Sequence, residues 1–131
     1  MTGADALVQI LKAEGIRHAF CFPTTPVLEA MARADLRILL ARQERVAGNM
    51  ADGVSRSTNG NQIGTWTVQQ SAGAENAFAA ISHSYTDSTP VLFIPGHPGV
   101  SKANIQSAKR CGYTYVSFHL TNNNIEMTLC N

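Results

Sequence analysis

The chain has 131 residues, of which 44% are hydrophobic and 15% are charged, and its formal net charge is +1. This length allows one domain with a substantial core, and the composition excludes a disordered chain, nucleic-acid binding by bulk charge and attraction to anionic membranes. No apolar run could span a bilayer, no basic leader opens the chain, and the three cysteines lack metal-binding spacing. We therefore expect a cytoplasmic protein with reduced thiols.

The N-terminal segment predicts a helix followed by a short buried strand. Thr2 and Asp5 have the spacing of a capping box, apolar residues then recur at helical intervals, and Gly15 stands where such a helix would end. Residues 16–22 are an apolar run stopped by Pro23, which is typical of a strand.

The next segment predicts a helix, a strand and another helix. Thr25 and Pro26 give the cap-then-proline start of a helix. Residues 36–41 are apolar almost throughout, which favours a strand covered on both faces of a sheet. A helix follows from about Glu44, and its predicted apolar face consists of Val46, Ala47, Met50, Ala51 and Val54.

The alternation continues through the third and fourth strands. A turn at 59–61 precedes a predicted strand over 63–68, and residues 87–90 end the following helix before a strand over 91–94. The apolar face predicted for that helix consists of Ala74, Ala77, Phe78, Ile81 and Tyr85.

Strands alternating with helices across short loops predict an α/β fold. We expect a doubly wound, mostly parallel sheet with helices on both faces, in the three layers of flavodoxin-like proteins, truncated after its fourth strand. We expect residues 1–100 to form this domain and residues 101–131 to form a divergent C-terminal tail of uncertain structure. In the tail, alternation over 114–120 is compatible with another strand, residues 122–124 indicate a turn, and residues 125–129 alternate only weakly.

Polar residues are predicted to gather at one edge of this sheet. In open parallel sheets, ligands bind outside the carboxyl ends of the strands. Those ends carry an acid, amides, hydroxyls, a histidine and glycines, namely Thr24, Thr25, Gln43, Glu44, Gln69, Gln70, Ser71, Gly73, Gly96, His97 and Gly99. The grouping predicts a ligand site, although an acid at a helix start or a histidine in a loop has a purely structural explanation when taken alone. No dinucleotide, phosphate-loop or nucleophile-elbow motif is present.

The run RQERVAGNMADGVSR, Arg42 to Arg56, resembles a signature of thiamine-diphosphate-dependent enzymes: a carboxylate, a small-residue helix and A-D-G-Y-[SA]-R. It is similar to their N-terminal, pyrimidine-binding domain, in the acetolactate-synthase-like branch. ADALVQILKAEGIRHAFCFP and VQQSAGAENAFAAISHSYTDSTPVLFIPGHPG resemble other segments of that domain in the right order. The resemblance covers about the first hundred residues.

The resemblance implies a role for Glu44. The matching glutamate hydrogen-bonds N1′ of the cofactor's aminopyrimidine ring and favours the tautomer that takes the proton from C2 of the thiazolium. Such a group needs a dry site, which the apolar strand before Glu44 helps to provide. The protein thus tunes a cofactor that carries the carbanion chemistry.

Other site residues are implied in the same way. The resemblance assigns cofactor contacts to Pro23, Thr24, Gln70, Ser71, Gly73 and Asn76, and substrate contacts to Thr25 and His97. The chain also departs from the family pattern. Thr24 and Thr25 stand where this branch commonly has glycines, and Val54 replaces the usual tyrosine.

The chain lacks the G-D-G motif through which the family holds Mg²⁺. The resemblance therefore implies no metal ligand here. Thiamine diphosphate would bind in a shared site, and Mg²⁺ would enter through a partner, a diphosphate-binding domain or subunit, in a homo- or hetero-oligomer. We recognise no resemblance to the family in residues 101–131, and from this we expect a genuine short protein, a fragment or a frameshifted tail.

The resulting hypothesis is the pyrimidine-binding half of an enzyme that ligates or decarboxylates a 2-oxo acid, classed as a transferase or lyase. Two alternatives stay open. One is a non-catalytic α/β interaction module or inactive fragment, and the other is a flavodoxin-like binder of a different small ligand. The threonines at 24 and 25 and the missing metal motif support the first alternative.

Overall fold

The structure is a computed structural model that describes residues 1–23, 26–96, 115–121 and 124–130. Its main body alternates helices and strands: α1 Gly3–Ala13, β1 His18–Cys21, α2 Pro26–Arg33, β2 Arg37–Leu40, α3 Glu44–Ser57, β3 Gly64–Val68, α4 Ala72–Thr86 and β4 Val91–Pro95. The four strands are all parallel and lie in the order β2-β1-β3-β4. The predicted α/β fold with a parallel sheet is confirmed.

The helix ends follow the local sequence signals. Thr2 and Asp5 form a complete capping box at the start of α1, with the Asp5 N–H donating to Thr2 Oγ1 at 3.2 Å. Gly15 follows that helix with φ +82°, a conformation that glycine adopts without steric cost. Helix α4 ends at Thr86, where the predicted break over 87–90 begins.

The sheet carries a separate apolar core on each face. Successive residues of a strand point to opposite faces, so Ala19 packs with α1 and α2, whereas Phe20 packs with α3 and α4. The α1–α2 core consists of Val8, Leu11, Ala19, Ala30, Met31, Leu36 and Ile94. The α3–α4 core consists of Phe20, Ala41, Ala47, Ala51, Trp66, Val68, Ala77 and Ala80. Helices therefore cover both faces, as predicted.

Glycines let α3 lie unusually close to its neighbours. A β carbon added at Gly64 would come within 1.9 Å of the Ala51 carbonyl oxygen. One added at Gly48 would lie 2.5 Å from the β carbon of Ala80 and 2.7 Å from the Trp66 ring. Since real β carbons do not approach other atoms this closely, both glycines are needed for the observed packing of α3 on β3 and α4.

Strand β2 packs on both faces of the sheet, with Ile38 against the α1–α2 core and Leu39 against the α3–α4 core, but it is less buried than predicted. Arg37 and Leu40 are exposed, Leu40 to 66%, and the two residues between them are half-buried. The reason is the strand order, which places β2 at the edge of the sheet with one neighbouring strand. Leu36 and Ala41, which flank the strand, are buried and account for the apolar run.

The predicted helix faces are also partly wrong. Val46 and Met50 of α3 are 41% and 38% exposed, and Tyr85 of α4 is 80% exposed. The buried faces instead carry small or polar residues, namely Glu44, Ala47, Gly48, Ala51, Asp52 and Ser55 in α3 and Gly73, Ala77, Ala80 and Ser84 in α4. Close helix packing selects small side chains, so the larger apolar residues lie outside the contact.

The tail contains two strands, β5 Tyr115–Thr121, where one was predicted as possible, and β6 Asn124–Cys130. They pair antiparallel, with Tyr115 opposite Cys130 and Thr121 opposite Asn124. Asn124 belongs to β6, and the rest of the predicted turn lies outside the described residues.

Cys21 is a free thiol at the end of β1, and it is fully buried. Burial raises the pKa of this thiol to about 11, so it stays protonated and unreactive at neutral pH. In the described ranges, no helix combines the length and the apolar character needed to cross a bilayer.

A polar cluster joins α3 to the end of α4, and we call Asp52, Arg56, Ser84 and Asp87 the Asp52 cluster. Arg56 pairs with Asp52 and with Asp87, the latter at 2.8 Å, and Ser84 Oγ donates to Asp52 Oδ1 at 2.8 Å. The Arg56 hydrogen bond lowers the pKa of Asp52 by more than burial raises it, and the Ser84 bond lowers it further. The buried carboxylate is therefore held charged.

Replacing Asp52 with asparagine should lower the free energy of unfolding by about 1–3 kcal/mol at pH 7, because the charge-assisted bonds are lost. A carboxyl whose pKa is lowered in the folded state stabilises the fold at pH values above its ordinary pKa of 3.8. This stabilisation is lost as the pH falls below 3.8. Denaturant unfolding from pH 7 to pH 3 should therefore show the wild type and the variant converging at low pH.

Asp87→Asn is the matched control. Asp87 shares Arg56 but its side chain is 43% exposed, so its loss should cost under about 1 kcal/mol. Equal losses in the two variants, or a difference that does not change with pH, would contradict the role given to Asp52.

Candidate functional site

The strand order defines a topological switch point at the carboxyl edge of the sheet. From β1 the chain passes through α2 to β2 on one side, and then through α3 to β3 on the other side of β1. The order reverses between β1 and β3, and ligands of such sheets bind outside the strand ends at this point. Because α3 packs against both β1 and β3, its first residue lies at this point of the sheet edge.

That first residue is Glu44, and it is 7% exposed. Ala41 still donates its backbone N–H to Cys21 O at 2.8 Å, so the chain leaves the sheet just after it. Gln43 then takes an extended conformation as N-cap, without a side-chain capping bond, and the helix begins. The short β2–α3 connection thus places a buried carboxylate at the N-terminus of α3.

The loop between β3 and α4 supplies the facing wall. The Gly73 N–H points to Gln70 O at 3.4 Å, and between them Ser71 has φ 55° and ψ −106°. These angles are close to those of the second position in a type II′ turn, which glycine favours. A serine there costs on the order of 1–3 kcal/mol, and such strain clusters at binding and catalytic sites.

The Glu44 carboxylate lies against the first turn of α4. Asn76 Nδ2 donates to Glu44 Oε2 at 3.5 Å. A β carbon added at Gly73 would come within 3.1 Å of Glu44 Oε1 and 2.8 Å of Gln69 Cβ. The missing side chain at position 73 therefore leaves Oε1 beside bare backbone, in a space that any other residue would fill.

This arrangement suits a carboxylate that exchanges a hydrogen bond with a ligand. Glu44 lies in the first turn of α3 and faces the first turn of α4, and helix N-termini stabilise negative charge. One oxygen is held by Asn76, and the other adjoins the space that Gly73 leaves. A flat heteroaromatic ring with a basic nitrogen fits such a group, because the nitrogen and the carboxylate share one proton.

The structure brings three of the predicted site residues together: Glu44, Gly73 and Asn76. Gln70 and Ser71 are exposed in the loop beside them, and Pro23 is exposed two residues after β1. Thr24, Thr25 and His97 lie outside the described residues. Gln69, which packs against Gly73, belongs to the predicted polar edge because it directly follows β3, but the resemblance assigned it no cofactor contact.

Across the parts of the chain that the structure describes, no three or more histidine, cysteine, aspartate or glutamate side chains come together in a way that could hold a metal ion. The chemistry of the described site is that of one buried carboxylate and its amide partner.

Comparison with known proteins gives consistent matches. The family described as "Thiamine pyrophosphate enzyme, N-terminal TPP binding domain" matches residues 1–118. The acetolactate synthase large subunit of Haemophilus influenzae is 36% identical over 100 residues, which are 73% of this chain and 17% of that protein. That of Buchnera aphidicola subsp. Schizaphis graminum is 31% identical over 121 residues, covering 89% of this chain and 21% of the relative. A probable large subunit from Methanocaldococcus jannaschii is 33% identical over 99 residues, 73% of this chain and 16% of the relative. The chain thus spans about a fifth of these relatives.

Proposed function

Because this chain belongs to the family of thiamine pyrophosphate enzyme N-terminal TPP binding domains, we propose that it forms the pyrimidine-binding half of a thiamine-diphosphate site. The observation that carries this proposal is Glu44, a buried carboxylate at the carboxyl edge of the sheet, with one oxygen beside Gly73. When bound, the cofactor supplies an electron sink for cleaving or ligating 2-oxo acids.

In this proposal, residues of this chain bind the pyrimidine ring of the cofactor and orient it. Glu44 accepts a hydrogen bond from the pyrimidine ring through Oε1 and holds a proton at that atom during turnover. Gly73 keeps the space beside this oxygen open for the ring. Gln70 and Ser71 belong to the β3–α4 loop beside that space. Because Glu44 is buried, little water would reach the proton held at Oε1 when the cofactor is bound.

The other half of the site comes from a partner. Since the chain spans about a fifth of its large-subunit relatives, we assign the diphosphate and its Mg²⁺ to a second domain or subunit, within a homo- or hetero-oligomer. The assembly acts on a 2-oxo acid in the manner of an acetolactate synthase. It works in the cytoplasm, where the Cys21 thiol stays reduced.

The chain alone provides the direct test. We would titrate it with 4-amino-5-hydroxymethyl-2-methylpyrimidine, the isolated ring of the cofactor, and follow the backbone amides of Glu44 and Gly73 by NMR. We expect weak, saturable shifts confined to the carboxyl edge, and their loss in Glu44→Gln. Glu75→Gln, which removes an exposed carboxylate from the first turn of α4, should leave the shifts intact.

Calorimetry with thiamine diphosphate and Mg²⁺ tests the partner. We expect binding only when a diphosphate-binding domain is added, because the charged half of the ligand has no counter-charge in this chain. If the pyrimidine causes no shifts up to its solubility limit, the proposed function is wrong and a non-catalytic module becomes the better hypothesis.

A further inference from the structure

Two side-chain hydrogen bonds join α3 to α4, and both connect residues 32 apart in the sequence. Asn76 donates to Glu44 at one end, and Ser84 donates to Asp52 at the other. Each helix therefore advances eight residues, about 12 Å along its axis, between the two bonds. Because both helices follow strands of one parallel sheet, they run in the same direction and keep this offset.

The same offset recurs between the two bonds. Gly48 and Ala80 are also 32 residues apart, and a β carbon added at Gly48 would lie 2.5 Å from that of Ala80. The contacts thus fall at every fourth residue: Glu44 with Asn76, Gly48 with Ala80, and Asp52 with Ser84. A small–small contact in the middle fixes the distance between the helices, and a polar pair on either side fixes their register.

This register determines what reaches the Glu44 carboxylate. Sliding α4 by one residue would rotate its contact face by about 100° and carry the amide of Asn76 away from Oε2. A buried carboxylate that loses its hydrogen-bond donor pays a desolvation cost, so the pair and the register support each other. In the structure one of the two N–H donors of the Asn76 amide is directed to Glu44.

We propose that Asn76 is a positioning residue, which holds the Glu44 carboxylate in place from the neighbouring helix instead of contacting the cofactor directly. This inference rests on the proposed function for its purpose, but the contact itself exists without any ligand. Asn76 fixes Oε2, so that Oε1 points to the space beside Gly73. The Asp52 cluster, about 12 Å away along the helices, maintains the register that makes this possible.

The first test needs no cofactor. In the full chain at pH 7, the side-chain amide protons of Asn76 should shift upfield in Glu44→Gln, because a neutral acceptor replaces a carboxylate. Glu75→Gln removes the same charge from the adjacent position on α4 and should leave these resonances unchanged. If Glu44→Gln leaves them in place, or Glu75→Gln moves them equally, the positioning role is wrong.

The second test uses a double-mutant cycle in an assembly completed by a diphosphate-binding domain. Asn76→Leu should lower turnover by about tenfold with little change in the cofactor concentration needed for half-saturation. The same change should cost nothing further in a Glu44→Gln background, and Asn76→Ser, which keeps a donor, should restore part of the rate. Additive losses, or a rise in the half-saturating concentration alone, would instead make Asn76 a direct cofactor ligand.

The two proposals fail separately. A pyrimidine that causes no shift, together with an Asn76 amide that responds to Glu44→Gln, would overturn the proposed function and leave the contact standing. Pyrimidine binding together with an Asn76 amide that does not respond to Glu44→Gln would support the proposed function and overturn the positioning role of Asn76.

Discussion

Replacing Glu44 with glutamine should slow C2 proton exchange of thiamine diphosphate in a complete assembly by about 10²–10⁴-fold, the usual contribution of a positioned acid–base group. Glutamine has nearly the same shape and still accepts a bond from Asn76, but it cannot hold the shared proton. Deuterium exchange at C2, followed by NMR, measures this step directly and requires no knowledge of the substrate.

Two controls make the result specific. Glu75→Gln removes a carboxylate from the first turn of α4, where it is exposed, and should keep the wild-type exchange rate. Thermal unfolding of Glu44→Gln should show a folded domain, since the change adds no volume. An undiminished exchange rate in Glu44→Gln would mean that this carboxylate does not take part in proton transfer.

The second large effect concerns Gly48, which lies between Ala80 and Trp66. A methyl group there meets the Ala80 β carbon at 2.5 Å and the indole ring at 2.7 Å, so α3 must move away from α4 or β3. Overpacking of this kind costs about 1–3 kcal/mol. We expect Gly48→Ala to lower the free energy of unfolding by that amount, measured by denaturant titration.

Gly53→Ala is the matched control on the same helix. Nothing lies within 4 Å of the added β carbon, so the variant should gain about 0.5–1 kcal/mol from the better helix propensity of alanine. The two identical substitutions should therefore change stability in opposite directions. In Gly48→Ala the Asn76 amide resonances should also shift, because widening the α3–α4 contact separates that amide from Glu44. A neutral or stabilising Gly48→Ala would show that the contact is looser than described.

Much of the fold was predictable because its signals are local. The capping box at Thr2 and Asp5, the glycine after α1 and the break after α4 each act within a few residues, and each lies where it was expected. The alternation of strands and helices then predicted the parallel sheet. Glu44 was predicted at the carboxyl edge for the same reason, since it directly follows the apolar run of the second strand.

The errors arose where burial depends on distant neighbours. Residues 36–41 are apolar, but β2 lies at the sheet edge because of how β1 pairs with β3 on its other side. Val46, Met50 and Tyr85 were predicted to be buried on hydropathy alone, and they are exposed because close helix packing selected small residues. The strained turn at Ser71 could not be predicted from the sequence either, because a serine gives no indication of a positive φ.

The sequence by itself determined which elements form, in what order, and that an acid begins α3 at the carboxyl edge of the sheet. Only the tertiary structure decided what that acid touches. Contacts between residues 32 apart depend on the distance and register of two helices, and these are set by Gly48, Ala80 and the polar pairs on either side of them. Periodicity along one helix carries no information about its offset from another, so the partnership of Glu44 with Asn76 and Gly73 appears only once the helices are packed.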